Sequence, residues 1–182
     1  MNSAANLKAF VGSHGGAVCT STNARAVLEW ALERPDGPQA AQVLFFPDQH
    51  LGRNTGHQMG FTEADMAVWN PRADLGGLDE ATVKSSTFLL WKGHCSVHQR
   101  FQPAHIEAFR AEHPGGIVVA HPECSHEVCS MADQVGSTDF IIRAVEAAPA
   151  GSVIGVGTEI HLVQRLDGEA FGLEYQPLDE LV

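Results

Sequence analysis

The segment HPECSHEVC, residues 121–129, holds two histidines, two glutamates and two cysteines within nine residues. Side chains of these types bind transition metals and transfer protons at active sites. One interpretation is a zinc-binding module without catalysis, with the ion held by Cys124, Cys129 and two of His121, His126 and Cys95. Structural zinc sites usually pair closely spaced cysteines, and here four residues separate Cys124 from Cys129 with no second pair at matching distance. The spacing disfavours this module but leaves it as the alternative to a catalytic role.

Reactive side chains also follow other apolar runs of the chain. VLFF is followed by PDQH at 47–50, FLLW by KGHC at 92–95, and IVVA by HPEC at 121–124. In open α/β sheets, ligands bind beyond the carboxyl ends of the strands, where loops present side chains and helix N-termini. The sequence therefore predicts that these three loops contribute to a binding site.

The elements that must position these loops alternate between short apolar runs and helical patterns. Strands are predicted at 15–18, 42–46, 87–91, 116–120 and 152–156. Helices are predicted at 22–34, 103–113 and 137–149. This alternation predicts an α/β fold of tandem three-layer αβα units with parallel sheets and right-handed crossovers. A boundary near Gly93 divides the chain into units 1–94 and 95–182.

Two predicted helix starts are rich in hydroxyl groups. Ser137 or Thr138 is expected to cap one helix, and CTSTNA at 19–24, which includes Ser21, opens another. The free N–H groups of a first helical turn can hold a carboxylate or a phosphate. Two such starts favour a small polyanionic substrate over a large polymer.

Composition narrows the class of protein. The chain has 182 residues, 44% of them hydrophobic, which predicts a globular protein with a core of its own. Its 22 acidic and 11 basic residues give a net charge of −11, which would repel nucleic acid. The chain shows neither a long apolar run nor the pattern of a secretory signal, so we expect a cytoplasmic protein without a membrane partner and with reduced cysteines.

Six segments together resemble a known family. They are CTSTNA, FPDQHLGRN, WKGHCSVHQRF, HPEC, ADQVGSTDFIIR and VGTEIHLVQRL, in this order. They are similar to quinolinate synthase, the quinolinate synthetase A family of NAD biosynthesis. The resemblance implies condensation of iminoaspartate with dihydroxyacetone phosphate to quinolinate, with loss of phosphate and two waters. It further implies that L-aspartate oxidase or aspartate dehydrogenase supplies the iminoaspartate.

The resemblance also implies a cofactor and a domain architecture. In the family, a 4Fe-4S cluster is held by three cysteines, one from each of three αβα domains around a pseudo-threefold axis. This chain matches the family's second domain (1–94, start missing) and third domain (95–182, C-terminal end missing). We therefore expect a chain truncated at both ends, which supplies Cys95 as its cluster ligand and is inactive alone.

By the same resemblance, individual residues receive roles. His121 and Glu123 are the expected catalytic and substrate-binding residues, His121 positioning a carboxylate or carbonyl and Glu123 transferring protons. The other implied substrate contacts are Asn2, Ser21, Ser137 and Thr138, whereas Cys124 and Cys129 are not implied as ligands.

Two further expectations concern the surroundings of these residues. Partial desolvation of Glu123 is expected to raise the pKa of its carboxyl toward neutrality. His94 and His98, which flank Cys95, are expected to orient that ligand or to lie on the surface.

Overall fold

The structure is a computed structural model that describes residues 3–33, 42–168 and 174–177. The chain divides into two compact units, Met1–His94 and Cys95–Val182. Each unit contains one parallel sheet with helices packed against it. The predicted α/β class with parallel sheets is therefore confirmed, while the pseudo-threefold arrangement of three domains stays a prediction.

The first unit has a three-stranded sheet of order β1-β3-β2. Its strands are β1 (Val43–Phe45), β2 (Met66–Trp69) and β3 (Phe88–Trp91). Its described helices are α1 (Ala5–Ser13), α2 (Ala24–Glu33), α3 (Gln49–Gln58) and α4 (Glu80–Ser85), with short 3-10 helices at Glu63–Asp65 and Asp74–Gly77. The strong apolar run of β3 makes it the central strand, with a parallel neighbour on each side.

The core of the first unit lies on one face of this sheet. Phe88 and Leu90 point to that face from β3, since residues two apart along a strand share a face. They pack in one cluster with Leu28 of α2 and Leu51 of α3, and all four side chains are at least 98% buried. The predicted strand at 15–18 is wrong, because these residues pair with no neighbouring strand in the described part of the chain.

The second unit has a four-stranded parallel sheet of order β5-β4-β6-β7. Its strands are β4 (Ile117–Ala120), β5 (Gln134–Val135), β6 (Val153–Gly157) and β7 (Glu174–Pro177). Its described helices are α5 (Pro103–Glu112), α6 (His126–Met131), α7 (Thr138–Glu146) and α8 (Ile160–Gly168), and a 3-10 helix spans His98–Arg100.

Both faces of the second sheet are covered by helices. Val118 of β4 packs in one cluster with Ile106 and Phe109 of α5. Val119, the next residue along the strand, packs in a separate cluster with Ile141 of α7. Because successive side chains of a strand point to opposite faces, the two clusters lie on either side of the sheet. The second unit is thus a three-layer αβα arrangement.

The described helices are short. The longest, α2, α3 and α5, have ten residues each, whereas a membrane-spanning helix needs about 20. Within residues 3–33, 42–168 and 174–177, no helix has the length and apolarity to cross a membrane.

Candidate functional site

The site begins where β4 and β6 end side by side in the second unit. Ala120 pairs with Gly157 in the parallel ladder, and the backbone N–H of His121 donates to the Gly157 carbonyl at 3.0 Å. His121 and Thr158, the residues that follow the two strands, therefore start from the same edge of the sheet. Both are almost fully buried, with 4% and 5% exposure.

His98 reaches the same edge from the 3-10 helix and connects these residues. Its ring stacks on the ring of His121 with centroids 4.3 Å apart and planes 12° from parallel. Its Nε2 lies 3.4 Å from the Thr158 hydroxyl oxygen, and its Nδ1 lies 3.2 Å from Oε2 of Glu123. His98 is therefore held on three sides by groups at the ends of two adjacent strands.

Glu123 and Cys95 complete the group. The backbone N–H of Glu123 donates to Nδ1 of His121 at 3.2 Å, so the neutral His121 ring carries its proton on Nε2. The Cys95 thiol contacts the Glu123 carboxylate. Among the described residues, Cys95, His98 and Glu123 form a set of potential metal ligands whose donor atoms all lie within 4.8 Å of one another.

The surroundings of His121 keep its imidazole neutral. Burial is the main cause that lowers its pKa, and the neighbouring His98 lowers it further. Glu123 opposes these two effects only in part, so that the pKa of His121 falls to about 4. At neutral pH this ring can donate one hydrogen bond from Nε2 without carrying a charge.

The expected rise in the pKa of Glu123 is wrong. Burial does raise the pKa of this carboxyl, but the contact with His98, the charges on His121 and His98, and the Cys95 thiol together lower it by more. Favourable neighbours outweigh desolvation because the carboxylate lies among three polar side chains rather than against apolar ones. Glu123 is thus a carboxylate at neutral pH, suited to accept a proton or to bind a cation.

The zinc module built on Cys124, Cys129 and His121 is also wrong. Both thiols belong to the apolar cluster of α5 and α6, where Cys124 donates to the Gly157 carbonyl at 3.5 Å and Cys129 to the His121 carbonyl at 3.6 Å. Burial raises the pKa of Cys124, and the neighbouring Cys129 raises it further. Burial raises the pKa of Cys129 to about 12. Among the described residues, the potential metal ligands that lie together are Cys95, His98 and Glu123, a group that includes neither thiol nor His121.

The predicted helix starts fall in different units. Ser137 is the N-cap of α7, its hydroxyl accepting from the N–H of Phe140 at 3.4 Å, and Thr138 is the first helical residue. Because β5 pairs with β4, this start lies beyond the same strand ends as His121. Ser21 lies in the first unit, in the turn before α2. Asn2 lies outside the described residues.

Sequence reasoning missed Thr158 and did not place His98 against Glu123. Of the two histidines expected to orient Cys95 or to lie on the surface, His98 is 7% exposed and contacts Glu123, whereas His94 is exposed. The Cys-x-x-His spacing of Cys95 and His98 was the available signal for a shared ligand group. Thr158 directly follows β6, so the strand-end rule that identified His121 would have identified it too.

Comparison with known proteins shows the family. Residues 1–179 match the family model described as quinolinate synthetase A protein. This chain belongs to the quinolinate synthetase A family. The proteins named quinolinate synthase in Rhodopirellula baltica and Corynebacterium glutamicum are each 55% identical to it, over 170 and 166 residues. The quinolinate synthase of Bacillus subtilis is 49% identical over 166 residues. The predicted resemblance is confirmed.

The aligned regions cover most of this chain but less than half of each relative. The three comparisons cover 93%, 91% and 91% of this chain, but 42%, 41% and 44% of the respective relatives. The chain thus spans about two-fifths of the length of the curated relatives it matches.

The cysteines of this family member do not fit a 4Fe-4S cluster held by the chain alone. Cys124 and Cys129 donate to carbonyls in the core, and burial raises the pKa of the Cys19 thiol in the first unit. Within the described residues, only Cys95 lies among other potential ligands. One candidate cysteine ligand is therefore present where the family resemblance implies three.

Proposed function

We propose that this chain is part of a quinolinate synthase, which condenses iminoaspartate with dihydroxyacetone phosphate to quinolinate in NAD biosynthesis. The observation that carries the proposal is the 55% identity to relatives of that name over 93% and 91% of this chain. Because the chain spans about two-fifths of those relatives, the activity is proposed for the complete protein. We propose that the isolated 182-residue chain is inactive.

The buried group in the second unit supports proton transfer in such a reaction. Loss of two waters requires protons to be removed from carbon or nitrogen and delivered to leaving oxygens. Glu123 is ionised at neutral pH and can accept a proton, because its neighbours lower the pKa of its carboxyl. Neutral His121 can donate from Nε2 to a substrate carboxylate or carbonyl. Both side chains belong to the loop that follows β4.

The start of α7 supports binding of an anionic substrate. Ser137 caps the helix, and the free N–H groups of a first helical turn can hold an anion. Dihydroxyacetone phosphate and iminoaspartate both carry negative charge that such donors can hold. We assign Ser21 and Asn2 to substrate contacts only through the family resemblance.

The proposal extends to the cofactor, the supply of substrate and the cellular location. In the complete protein, Cys95 would provide one thiolate to a 4Fe-4S cluster, with the other cysteines supplied from outside this chain. The cluster would provide Lewis-acid chemistry. L-aspartate oxidase or aspartate dehydrogenase would supply iminoaspartate, and the complete protein would work in the cytoplasm.

An anaerobic assay of quinolinate formation by the full-length protein tests the proposal. Glu123→Gln should lower turnover by about 10²- to 10⁴-fold, the usual contribution of a general acid–base residue, while the iron–sulfur absorbance persists. Cys95→Ala should lose the absorbance itself. Glu146→Gln, a matched change at an exposed position of α7, should alter neither property.

Two results would contradict these roles. A colourless Glu123→Gln protein would mean that this carboxylate is needed to hold the cluster. A Cys95→Ala protein with an unchanged spectrum would exclude Cys95 as its ligand. Quinolinate formation by the 182-residue chain alone, at the rate of the full-length protein, would overturn the proposed inactivity of the chain.

A further inference from the structure

We propose that the buried hydroxyl of Thr158 fixes the tautomer and the orientation of His98, and through that ring the orientation of the Glu123 carboxylate. Thr158 would thus be a positioning residue, since it acts on the proton-transfer group through His98 rather than by touching the substrate. The expected kinetic effect rests on the proposed synthase function, whereas the arrangement itself can be measured on the 182-residue chain. All three residues belong to the second unit.

The three side chains form one connected line. Nε2 of His98 lies 3.4 Å from the Thr158 hydroxyl oxygen, and Nδ1, the other ring nitrogen, lies 3.2 Å from Oε2 of Glu123. The two ring nitrogens therefore face two different oxygen atoms, one of a hydroxyl and one of a carboxylate. A change at the hydroxyl end alters where the ring can lie, and with it the contact at the carboxylate end.

Donor and acceptor chemistry decides which nitrogen of His98 carries the proton. An ionised carboxylate only accepts hydrogen bonds, so Nδ1 must carry a proton to interact favourably with Glu123. In the neutral ring, Nε2 then has a lone pair and needs a donor. The Thr158 hydroxyl can supply that proton, because a hydroxyl acts as donor or as acceptor. We therefore expect the Nδ1–H tautomer of His98.

Burial makes this hydroxyl hard to replace. Thr158 and His98 are only 5% and 7% exposed, so bulk water has little access to the hydroxyl or to Nε2. A buried polar atom that loses its hydrogen-bond partner is costly, because water does not take the partner's place. Removal of the hydroxyl alone should therefore disturb the His98 ring.

The ring of His121 fixes a different property of His98. The two rings stack with centroids 4.3 Å apart and planes 12° from parallel, which restricts tilting of the His98 plane. Stacking does not distinguish the two orientations related by a half-turn of the ring, because both keep the same plane. The half-turned ring would direct carbon atoms at Thr158 and Glu123. The polar contact with Thr158 therefore favours the orientation that keeps a nitrogen atom at each end.

Thr158 is held by the elements on both sides of it. It directly follows β6, whose Val156 is fully buried in the core. After Thr158, the Glu159 carboxylate accepts from the N–H groups of His161 and Leu162 at 3.1 and 3.3 Å, which fixes the turn into α8. The β-branched side chain of threonine is also restricted in χ1. A hydroxyl supported in this way can impose an orientation on its partner.

Nitrogen-15 NMR of the 182-residue chain, labelled at histidine, tests the tautomer. At about pH 8, where a model imidazole is neutral, long-range proton–nitrogen correlations distinguish a protonated from an unprotonated ring nitrogen. The chain has ten histidines, so the variant His98→Gln identifies the signals of His98. We expect a protonated Nδ1 and an unprotonated Nε2. Thr158→Val should shift the Nε2 signal and mix the two tautomers.

Quinolinate formation by the full-length protein tests the consequence for the reaction. Thr158→Val keeps the branching of the side chain but removes the hydroxyl. It should lower kcat about 10- to 100-fold by misplacing the proton-transfer group, with a smaller change in KM. Thr158→Ser keeps a hydroxyl and should retain most of the kcat that Thr158→Val loses. A role in packing alone would give the opposite order, since serine leaves a cavity where valine fills the space.

Thr55→Val is the matched control. Thr55 is likewise a buried threonine, 3% exposed, and its hydroxyl donates to the Leu51 carbonyl at 2.6 Å in the first unit. The same change there should leave the His98 signals and kcat at the values of the unsubstituted protein. Far-ultraviolet circular dichroism establishes that each variant is folded. If Thr158→Val does not fold, the tautomer of the unsubstituted chain and its retention in Thr158→Ser decide the proposal.

Four results would overturn the positioning role. They are a neutral His98 ring protonated at Nε2 in the unsubstituted chain, unchanged His98 signals in a folded Thr158→Val chain, an unchanged kcat in Thr158→Val, and a Thr158→Ser protein no more active than Thr158→Val. Failure of the proposed function is distinguishable from these results. A full-length protein that forms no quinolinate would refute the proposed function, while the NMR measurement would still test the arrangement of Thr158 and His98.

Discussion

The two units differ in how completely their sheets are covered. In the second unit, Val118 and Val119 point to opposite faces of β4, and both are at most 1% exposed. In the first unit, Leu89 of the central strand β3 is 7% exposed, but Leu44, its partner on the edge strand β1, remains 45% exposed, and α1 has no buried residue. An apolar cavity of about 370 Å³ lies beside Leu44, lined also by Val11 and Val18.

This difference bears on where a precise site can form. Ligand and proton-transfer groups need their geometry held by packed elements on rigid supports. His121 and Thr158 extend from β4 and β6, whose residues pack against helices on both faces of the sheet. The chemical groups that the structure brings together therefore lie in the more completely packed unit.

The largest expected effect is a core truncation in the second unit. Phe109→Ala should lower the free energy of unfolding by about 3–5 kcal/mol, because the side chain is fully buried between α5 and the sheet. Phe10→Ala in α1, where the ring is 52% exposed, should change it by less than about 0.5 kcal/mol. Urea denaturation followed by far-ultraviolet circular dichroism measures both.

Tryptophan fluorescence distinguishes unfolding of the first unit from unfolding of the second. Trp30, Trp69 and Trp91 all belong to the first unit, so tryptophan fluorescence follows that unit. The Phe109→Ala loss should appear in the circular dichroism transition more than in the fluorescence transition. Equal losses for Phe109→Ala and Phe10→Ala would contradict the difference in packing.

Acid should destabilise the second unit before the first. His121 has a pKa of about 4 in the folded chain and 6.5 when unfolded, so the unfolded chain binds more protons between these values. Stability therefore falls as pH falls through this window, by about 2 kcal/mol between pH 7 and pH 5. Below this pH window, the lowered pKa of Glu123 also makes the free energy of unfolding fall as the pH falls. The measurement is urea denaturation at both pH values with a chelator present.

A substitution isolates the contribution of this imidazole. His121→Gln should remove most of the pH dependence seen by circular dichroism between pH 7 and pH 5, since glutamine does not titrate. The fluorescence transition of the first unit should be unaffected by that change. A pH dependence that survives in His121→Gln would assign it to other groups.

Helix caps should have intermediate effects that differ between the units. Asp48 caps α3 in the first unit by accepting from the N–H of Leu51 at 2.8 Å, whereas Ser137 caps α7 over 3.4 Å. Removing a cap costs about 0.5–2 kcal/mol. Asp48→Ala should therefore lower the stability seen by fluorescence by more than Ser137→Ala lowers that seen by circular dichroism. A reversed order would show that hydrogen-bond length does not rank these caps.

The smallest expected effect is at Leu44, an exposed position on the edge strand β1 of the first sheet. Leu44→Thr should change the free energy of unfolding by less than about 0.5 kcal/mol, because the side chain is 45% exposed and threonine suits a strand. The matched change Val119→Thr buries a hydroxyl and should cost about 1–3 kcal/mol. A large loss for Leu44→Thr, measured by tryptophan fluorescence in urea, would show that this side chain is packed in solution.

The strands that could be predicted share one property. The predicted strands at 42–46, 87–91, 116–120 and 152–156 correspond to β1, β3, β4 and β6, whose apolar runs are typical of buried parallel strands. β5 is two residues long and contains Gln134, so it shows no such run. The run at 15–18 failed for the opposite reason, since apolar character does not provide a neighbouring strand.

Sequence alone determined the family, the strand-end loops and the Ser137 cap, because these depend on residue types and on contacts within a few positions. The tertiary structure decided which reactive groups meet. His98 and Thr158 are 60 positions apart, yet their side chains lie 3.4 Å from each other. The direction of a thiol into the core at Cys124, and the net lowering of the pKa at Glu123, depend likewise on neighbours brought together by packing. Burial and neighbouring charge are properties of the folded chain, and local sequence does not encode their balance.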